Sequence, residues 1–127
     1  MSGPLAGLKI IEMAAIGPVP LAGQLMADLG ATVIVVDKTL DTTLDKKGYF
    51  QPTEDINRRN KKSVAINLKS DEGRDVFLAL LRSSEVLIEG FRPGVMEKLS
   101  IGPADCQKHN ESPVSYTHLT LPTIYSV

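Results

Sequence analysis

The chain has 127 residues, 43% hydrophobic and 23% charged, which fits one soluble globular domain with a buried core. Its 14 basic and 15 acidic residues leave a formal charge of -1, without the basic excess of a nucleic-acid binder. A single cysteine, Cys106, excludes an internal disulfide and a cysteine-cluster metal site, and no apolar run approaches the roughly 18 residues of a membrane span.

The N-terminal MSGPLAGLK has no basic stretch leading into an apolar core, so no secretory signal is expected and a cytoplasmic setting follows. Residues 8–13 (LKIIEM) read as a buried strand. Gly17, Pro18 and Pro20 end it, and Pro20 suits the first turn of a helix, where its missing N–H is not needed. The helix should run to Leu29, with Leu21, Leu25, Met26 and Leu29 on one face and Gly30 as its C-terminal cap. Residues 32–36 (TVIVV), apolar on both faces, read as a central parallel strand, joined to the first by a right-handed crossover.

Residues 39–60 read as a long surface loop ending in a basic run, Arg58-Arg59-Asn60-Lys61-Lys62. Residues 63–68 (SVAINL) form a third strand. Ser70 then caps a helix whose first turn carries Asp71 and Glu72 and whose apolar face is Val76, Phe77, Leu80 and Leu81. Residues 86–88 make a fourth strand, and short helical stretches are expected at 95–99 and 103–108. Residues 113–127 stand apart. They hold no Asp, Glu, Lys or Arg, and Pro122 breaks their strand-like pattern.

The alternation of strands and helices makes this an α/β chain with a parallel sheet and flanking helices. A strand–loop–helix–strand ending in Asp37 has the layout of a dinucleotide site, but Gly-x-Gly-x-x-Gly is absent. The loop prolines remove backbone donors and make a poor pyrophosphate cradle. Lys38, Lys69 and Arg92 each follow a predicted strand. Placed at the carboxyl edge of one sheet, they could form a clamp for several phosphates, or a solvated rim. The basic run at 58–62 is a phosphate-contacting loop, a partner surface or a solvated loop. No nucleophile–base pair is visible around His109, His118 or Cys106, and Cys106 reads as a packed helix residue.

Three blocks in register, GPLAGLKIIEMAAIGPVPLAGQLMADLGATVIVVDK, NRRNKKSVAINLKSDEGRDVFLALL and EVLIEGFRPGVMEKLSIGP, resemble the N-terminal part of the class III CoA-transferase family over residues 3–110. IGPVP and LIEGFRPGVMEKL resemble most its α-methylacyl-CoA racemase branch. The resemblance implies a truncated Rossmann-like domain that holds the nucleotide end of coenzyme A, a thioester substrate rather than a tightly bound cofactor. It places Ile16 beside CoA. Ile66, Leu68 and Lys69 line the adenine and ribose, and Lys38, Arg92 and Lys98 reach the phosphates. Lys38 and Lys98 stand where arginine is commoner, which keeps the charge but loses the bidentate fork.

In the racemase branch a His and an Asp exchange the α-proton of a 2-methylacyl thioester. Both lie beyond the matched stretch, so no catalytic residue is assigned and the chain is expected to be inactive alone. The resemblance further implies an interlocked homodimer for the parent protein, an isomerase or transferase of lipid metabolism. No nucleic-acid or membrane partner is expected. A fragment of such a dimer should be marginally stable. The alternatives are a CoA transferase and a non-enzymatic nucleotide- or partner-binding module. The domain is expected to span 1–112. YTHLTLPTIYSV resembles translated sequencing adapter, so 113–127 is expected to be a foreign tail.

Overall fold

The computed structural model describes residues 3–15, 17–39, 56–109 and 115–118. Five parallel strands run through them: β1 (Lys9–Met13), β2 (Thr32–Asp37), β3 (Lys62–Ala65), β4 (Val86–Glu89) and β5 (Ser115–His118). Their spatial order is β3-β2-β1-β4-β5, with the topological switch between β1 and β4. Four helices accompany them: α1 (Pro18–Asp28), α2 (Asp71–Arg82), α3 (Val95–Lys98) and α4 (Pro103–His109). The α/β parallel-sheet expectation therefore holds.

Alternation along the strands sorts the core onto the two faces of the sheet. Ile10, Val33 and Ile88 pack with Val19, Ala27 and Ala31 beneath α1. Ile11, Met13, Val36 and Leu87 pack on the other face with Phe77, Leu78 and Leu81 of α2, Met96 and Cys106. α2 starts where expected, because Ser70 Oγ accepts a hydrogen bond from the Gly73 amide at 3.0 Å. Val76, expected on its buried face, points outward, and Leu78 is buried instead. The third strand ends at Ala65, so Ile66 to Leu68 lie beyond it rather than within it.

α1 begins at Pro18, which puts Pro20 in its first turn as expected. Gly17 ahead of it has φ 101° and ψ -131°, a conformation that essentially only glycine adopts. Its buried face is not the expected one. Leu21, Leu25 and Leu29 are 51%, 56% and 46% exposed, while Val19, Gly23, Gln24 and Ala27 face the sheet. The reason is steric. A Cβ at Gly23 would lie 1.7 Å from Glu12 Oε1, so this helix can sit over the strand only on its small residues.

The expected loop at 39–60 falls mostly outside the described residues; its described end is a 3-10 turn, Ile56–Arg58. Within 113–127, Ser115–His118 pairs in parallel with β4, Val86 opposite Ser115 and Glu89 opposite His118.

These placements separate two kinds of substitution in α1. Leu25→Gln should change stability by no more than about 0.5 kcal/mol, as exposed positions do. Ala27→Leu should cost about 1–3 kcal/mol by overpacking the sheet contact. Urea denaturation checks both, and a larger loss for Leu25→Gln than for Ala27→Leu would contradict the assigned face.

Candidate functional site

In a parallel sheet the strands share one carboxyl edge, and loops leaving it converge. Lys38 follows β2, Ile66, Leu68 and Lys69 follow β3, Arg92 follows β4, and Lys98 ends α3 just beyond. The fold thus places Lys38, Ile66, Leu68, Lys69 and Arg92 just past the carboxyl ends of their strands and Lys98 at the end of α3; Ile16 lies outside the described residues. Lys38, Lys69, Arg92 and Lys98 are exposed, and among the described residues none makes a salt bridge. Ile66 is different. Its side chain is buried in the core with Phe77, and its amide donates to the Asp37 carbonyl at 3.0 Å.

The turns carrying these residues are held from below. After β3, the Lys69 amide donates to Asn67 Oδ1 at 3.1 Å. Arg74 Nη1 donates to the Leu68 and Lys69 carbonyls at 3.4 and 3.3 Å, and its other arm pairs with Asp71. A Cβ at Gly73 would strike the Asn67 carbonyl oxygen at 1.8 Å, so the turn lies directly on the start of α2. After β4, the buried Glu89 carboxylate accepts the Phe91 amide at 2.8 Å, fixing the turn that presents Arg92.

Within the basic run at 58–62, three of the four cations are ion-paired and Lys62 stays exposed. Arg58 grips Asp37 at the end of β2 with two bonds, at 2.8 and 2.5 Å. Arg59 pairs with Asp28 of α1 at 2.5 Å, and Asn60 Nδ2 donates to the same carboxylate at 2.8 Å. Asn60 has φ 63°, a left-handed turn that asparagine tolerates and that redirects the chain between Arg59 and Lys61. Lys61 then runs inward. Its Nζ donates to Glu12 Oε1 at 2.7 Å and to the Pro20 carbonyl at 2.8 Å, with only 2% and 3% of the two side chains exposed. Three of the basic residues are thereby committed to three carboxylates of the first β–α–β unit. Asp37, taken by Arg58 and Ser63, is not left to hold a ribose as a dinucleotide site requires.

Burial pushes the Glu12 carboxyl above its ordinary value, and the Lys61 bond only partly offsets this. Burial also raises Asp37, but the bonds from Arg58 and Ser63 outweigh it and hold Asp37 below its ordinary value. Arg59 and Asn60 likewise hold Asp28 low. The Cys106 thiol is buried, donates to the Ile101 carbonyl at 3.3 Å and is pushed up to about 11 by burial. It is a packed residue, as expected, and no nucleophile at neutral pH.

Sequence reasoning passed over Glu12 and Arg74, took Lys61 only as part of the basic run, and found no role for Glu89. A signal existed for two of them. An acid in an otherwise apolar strand, as in KIIEM and VLIE, demands a partner once the strand is buried. Two concavities lie among the described residues, and neither is lined by Lys38, Lys69, Arg92 or Lys98. One of about 20 Å³ lies under the α1 entrance, and an open one of about 390 Å³ sits at the opposite, amino edge beside Gly30 and Lys62.

The model of CoA-transferase family III matches residues 5–119. The chain belongs to that family. A probable fatty acyl-CoA transferase of Mycobacterium tuberculosis, Rv3272, is 35% identical over 92% of this chain, which spans 31% of the relative. Human α-methylacyl-CoA racemase is 35% identical over 84% of the chain and is spanned to 25%. A succinyl-CoA:mesaconate CoA-transferase of Haloarcula marismortui is 30% identical over 85%. Among solved structures, Rv3272 superposes with a TM-score of 0.80 at 34% identity, covering 94% of this chain and 34% of that one. A CAIB/BAIF family protein of Brucella suis gives 0.75 at 27% identity, covering 93% and 33%. This family III chain thus spans between a quarter and about a third of the length of these relatives.

The lowered carboxylate gives a pH prediction for the chain. Asp37 has its folded value below its ordinary 3.8, so its ion pair stabilises the fold above that value and is lost as pH falls through the folded one. Urea midpoints measured from about pH 7 down to about pH 3 should drop steeply at the acid end in the wild type and less steeply in Asp37→Asn. Identical acid limbs would contradict the Arg58–Asp37 pairing.

Proposed function

We propose that this chain is the CoA-nucleotide-binding portion of an acyl-CoA racemase that epimerises 2-methylacyl-CoA by removing and returning the α-proton. The observation that carries the reading is the division of the cations. Arg58, Arg59 and Lys61 are neutralised within the fold, whereas Lys38, Lys69, Arg92 and Lys98 stand exposed at the carboxyl rim. A row of cations at the mouth of a parallel sheet suits a ligand with several phosphates, and the nucleotide end of CoA is one.

In this reading Lys38, Arg92 and Lys98 meet the phosphates. Lys69 and the turn at 66–68 lie along the adenine and ribose, and Ile16 lies beside the CoA. Ile66 contributes its backbone, since its side chain is in the core. Residues 1–112 make up this portion, and 113–127 are an appended stretch. The proton-exchanging residues belong to the part of the relatives that this chain does not span, so it turns over nothing alone. The parent acts in the cytoplasm as an interlocked homodimer. A CoA transferase is the second reading, because a probable transferase and a racemase are equally identical to this chain.

Calorimetric titration tests the binding role. Lys38→Ala and Arg92→Ala should each weaken CoA about tenfold, the loss of one charge-assisted contact of roughly 1.5 kcal/mol. Lys38→Arg should tighten it, and Lys108→Ala on the outer α4 should leave it unchanged. Equal affinity of the wild type, Lys38→Ala and Arg92→Ala would overturn the assignment. Joined to the remaining segment of a racemase relative, the chain should exchange the α-proton of a 2-methylacyl-CoA in deuterated water. CoA transfer to a carboxylate without exchange would favour the transferase.

A further inference from the structure

We infer that Lys61 is a positioning residue that sets the entrance turn of α1, and that Glu12 is retained in β1 to hold it there. Two buried charges are a poor way to stabilise a sheet–helix contact, since apolar residues of the same volume usually do as well or better. The pair therefore needs another reason. The Lys61 ammonium supplies it by making a second bond, at 2.8 Å, to the carbonyl of Pro20. Pro20 lies in the first turn of α1, directly after Gly17, whose conformation turns the chain out of β1. Lys61 thus ties three separated pieces of chain at one atom: β1 through Glu12, the α1 entrance through Pro20, and the start of β3 through its own backbone.

The surroundings are built to this shape. Gly23 leaves room for the carboxylate, and a Cβ there would stand 1.7 Å from Glu12 Oε1 and 3.0 Å from Lys61 Nζ. Ala14, Ala15 and Pro20 of the turn border the same small cavity as Glu12, Arg58 and Lys61. Arg58 and Asn60, just before it, are locked to Asp37 and Asp28, so Lys61 enters from an anchored segment. The turn stands at the carboxyl end of β1, next to the switch point with β4, the place where open α/β sheets bind ligands. The consequence for CoA affinity rests on the binding role proposed above; the consequence for the turn does not.

The test compares the 127-residue chain with the double variant Glu12→Leu/Lys61→Met. The double variant removes both charges together, so its melting temperature should match or exceed that of the wild type. Amide hydrogen exchange over the α1 entrance at 17–22 should nevertheless speed up about tenfold while exchange in β2 and α2 stays unchanged, and CoA should bind about tenfold more weakly. Gly23→Ala, which leaves both charges in place but displaces the carboxylate, should speed exchange in the same segment. If the double variant does not fold, Gly23→Ala alone decides. Wild-type exchange at 17–22 in whichever variant folds would overturn the inference and leave the pair as packing. If the wild type itself does not bind CoA, the binding role falls, and the exchange result alone decides the positioning role.

Discussion

The neutralisation of Glu12 is the constraint on which the first half of this molecule depends. A carboxylate inside a parallel strand, with sheet below and helix above, cannot stay without a partner. Lys61 supplies the partner from 49 residues away in sequence. Meeting that demand fixes other choices. α1 must present Gly23 and Ala27 to the sheet, its leucines must turn outward, and the chain before β3 must make a left-handed turn at Asn60 so that Lys61 can enter. Removing one partner alone would leave an unpaired buried charge at about 3–5 kcal/mol.

The same demand sorts the basic residues by function. Arg58, Arg59 and Lys61 balance acids within the fold and leave no net charge there for a ligand. The exposed rim cations have no such balance among the described residues. In the proposed site a polyanion meets Lys38, Lys69, Arg92 and Lys98, not the denser basic run that dominates the sequence. The turns bearing Lys69 and Arg92 are braced by Arg74 and Glu89, so those two charges are presented from fixed backbone.

Much of the architecture was legible in the residues. TVIVV is apolar on both faces, and only a central strand uses such a run. Ser70 with Asp71 and Glu72 marks a helix start by local chemistry alone. The α1 face was misread because hydrophobic spacing weighs leucine above glycine, while the real selection was for small side chains over a buried ion pair. That pair was hidden because its partners are far apart in sequence, and a run of basic residues looks the same whether solvated or paired. The rim residues were legible as residues following strands. That Ile66 turns its side chain into the core was not, since the strand stops at Ala65.

Membership in CoA-transferase family III sets the frame, and the division of the cations supplies the chain's own argument for the proposed CoA site. That division is tested most directly by following backbone amide resonances while adenosine 3′,5′-bisphosphate, the nucleotide end of CoA cut free, is titrated into the chain. Shifts should gather at Lys38, at 66–70 and at 92–98, with the amides of 58–61 little moved. Shifts centred on 58–61 or on the opposite edge near Gly30 and Lys62, or none at any concentration, would contradict it.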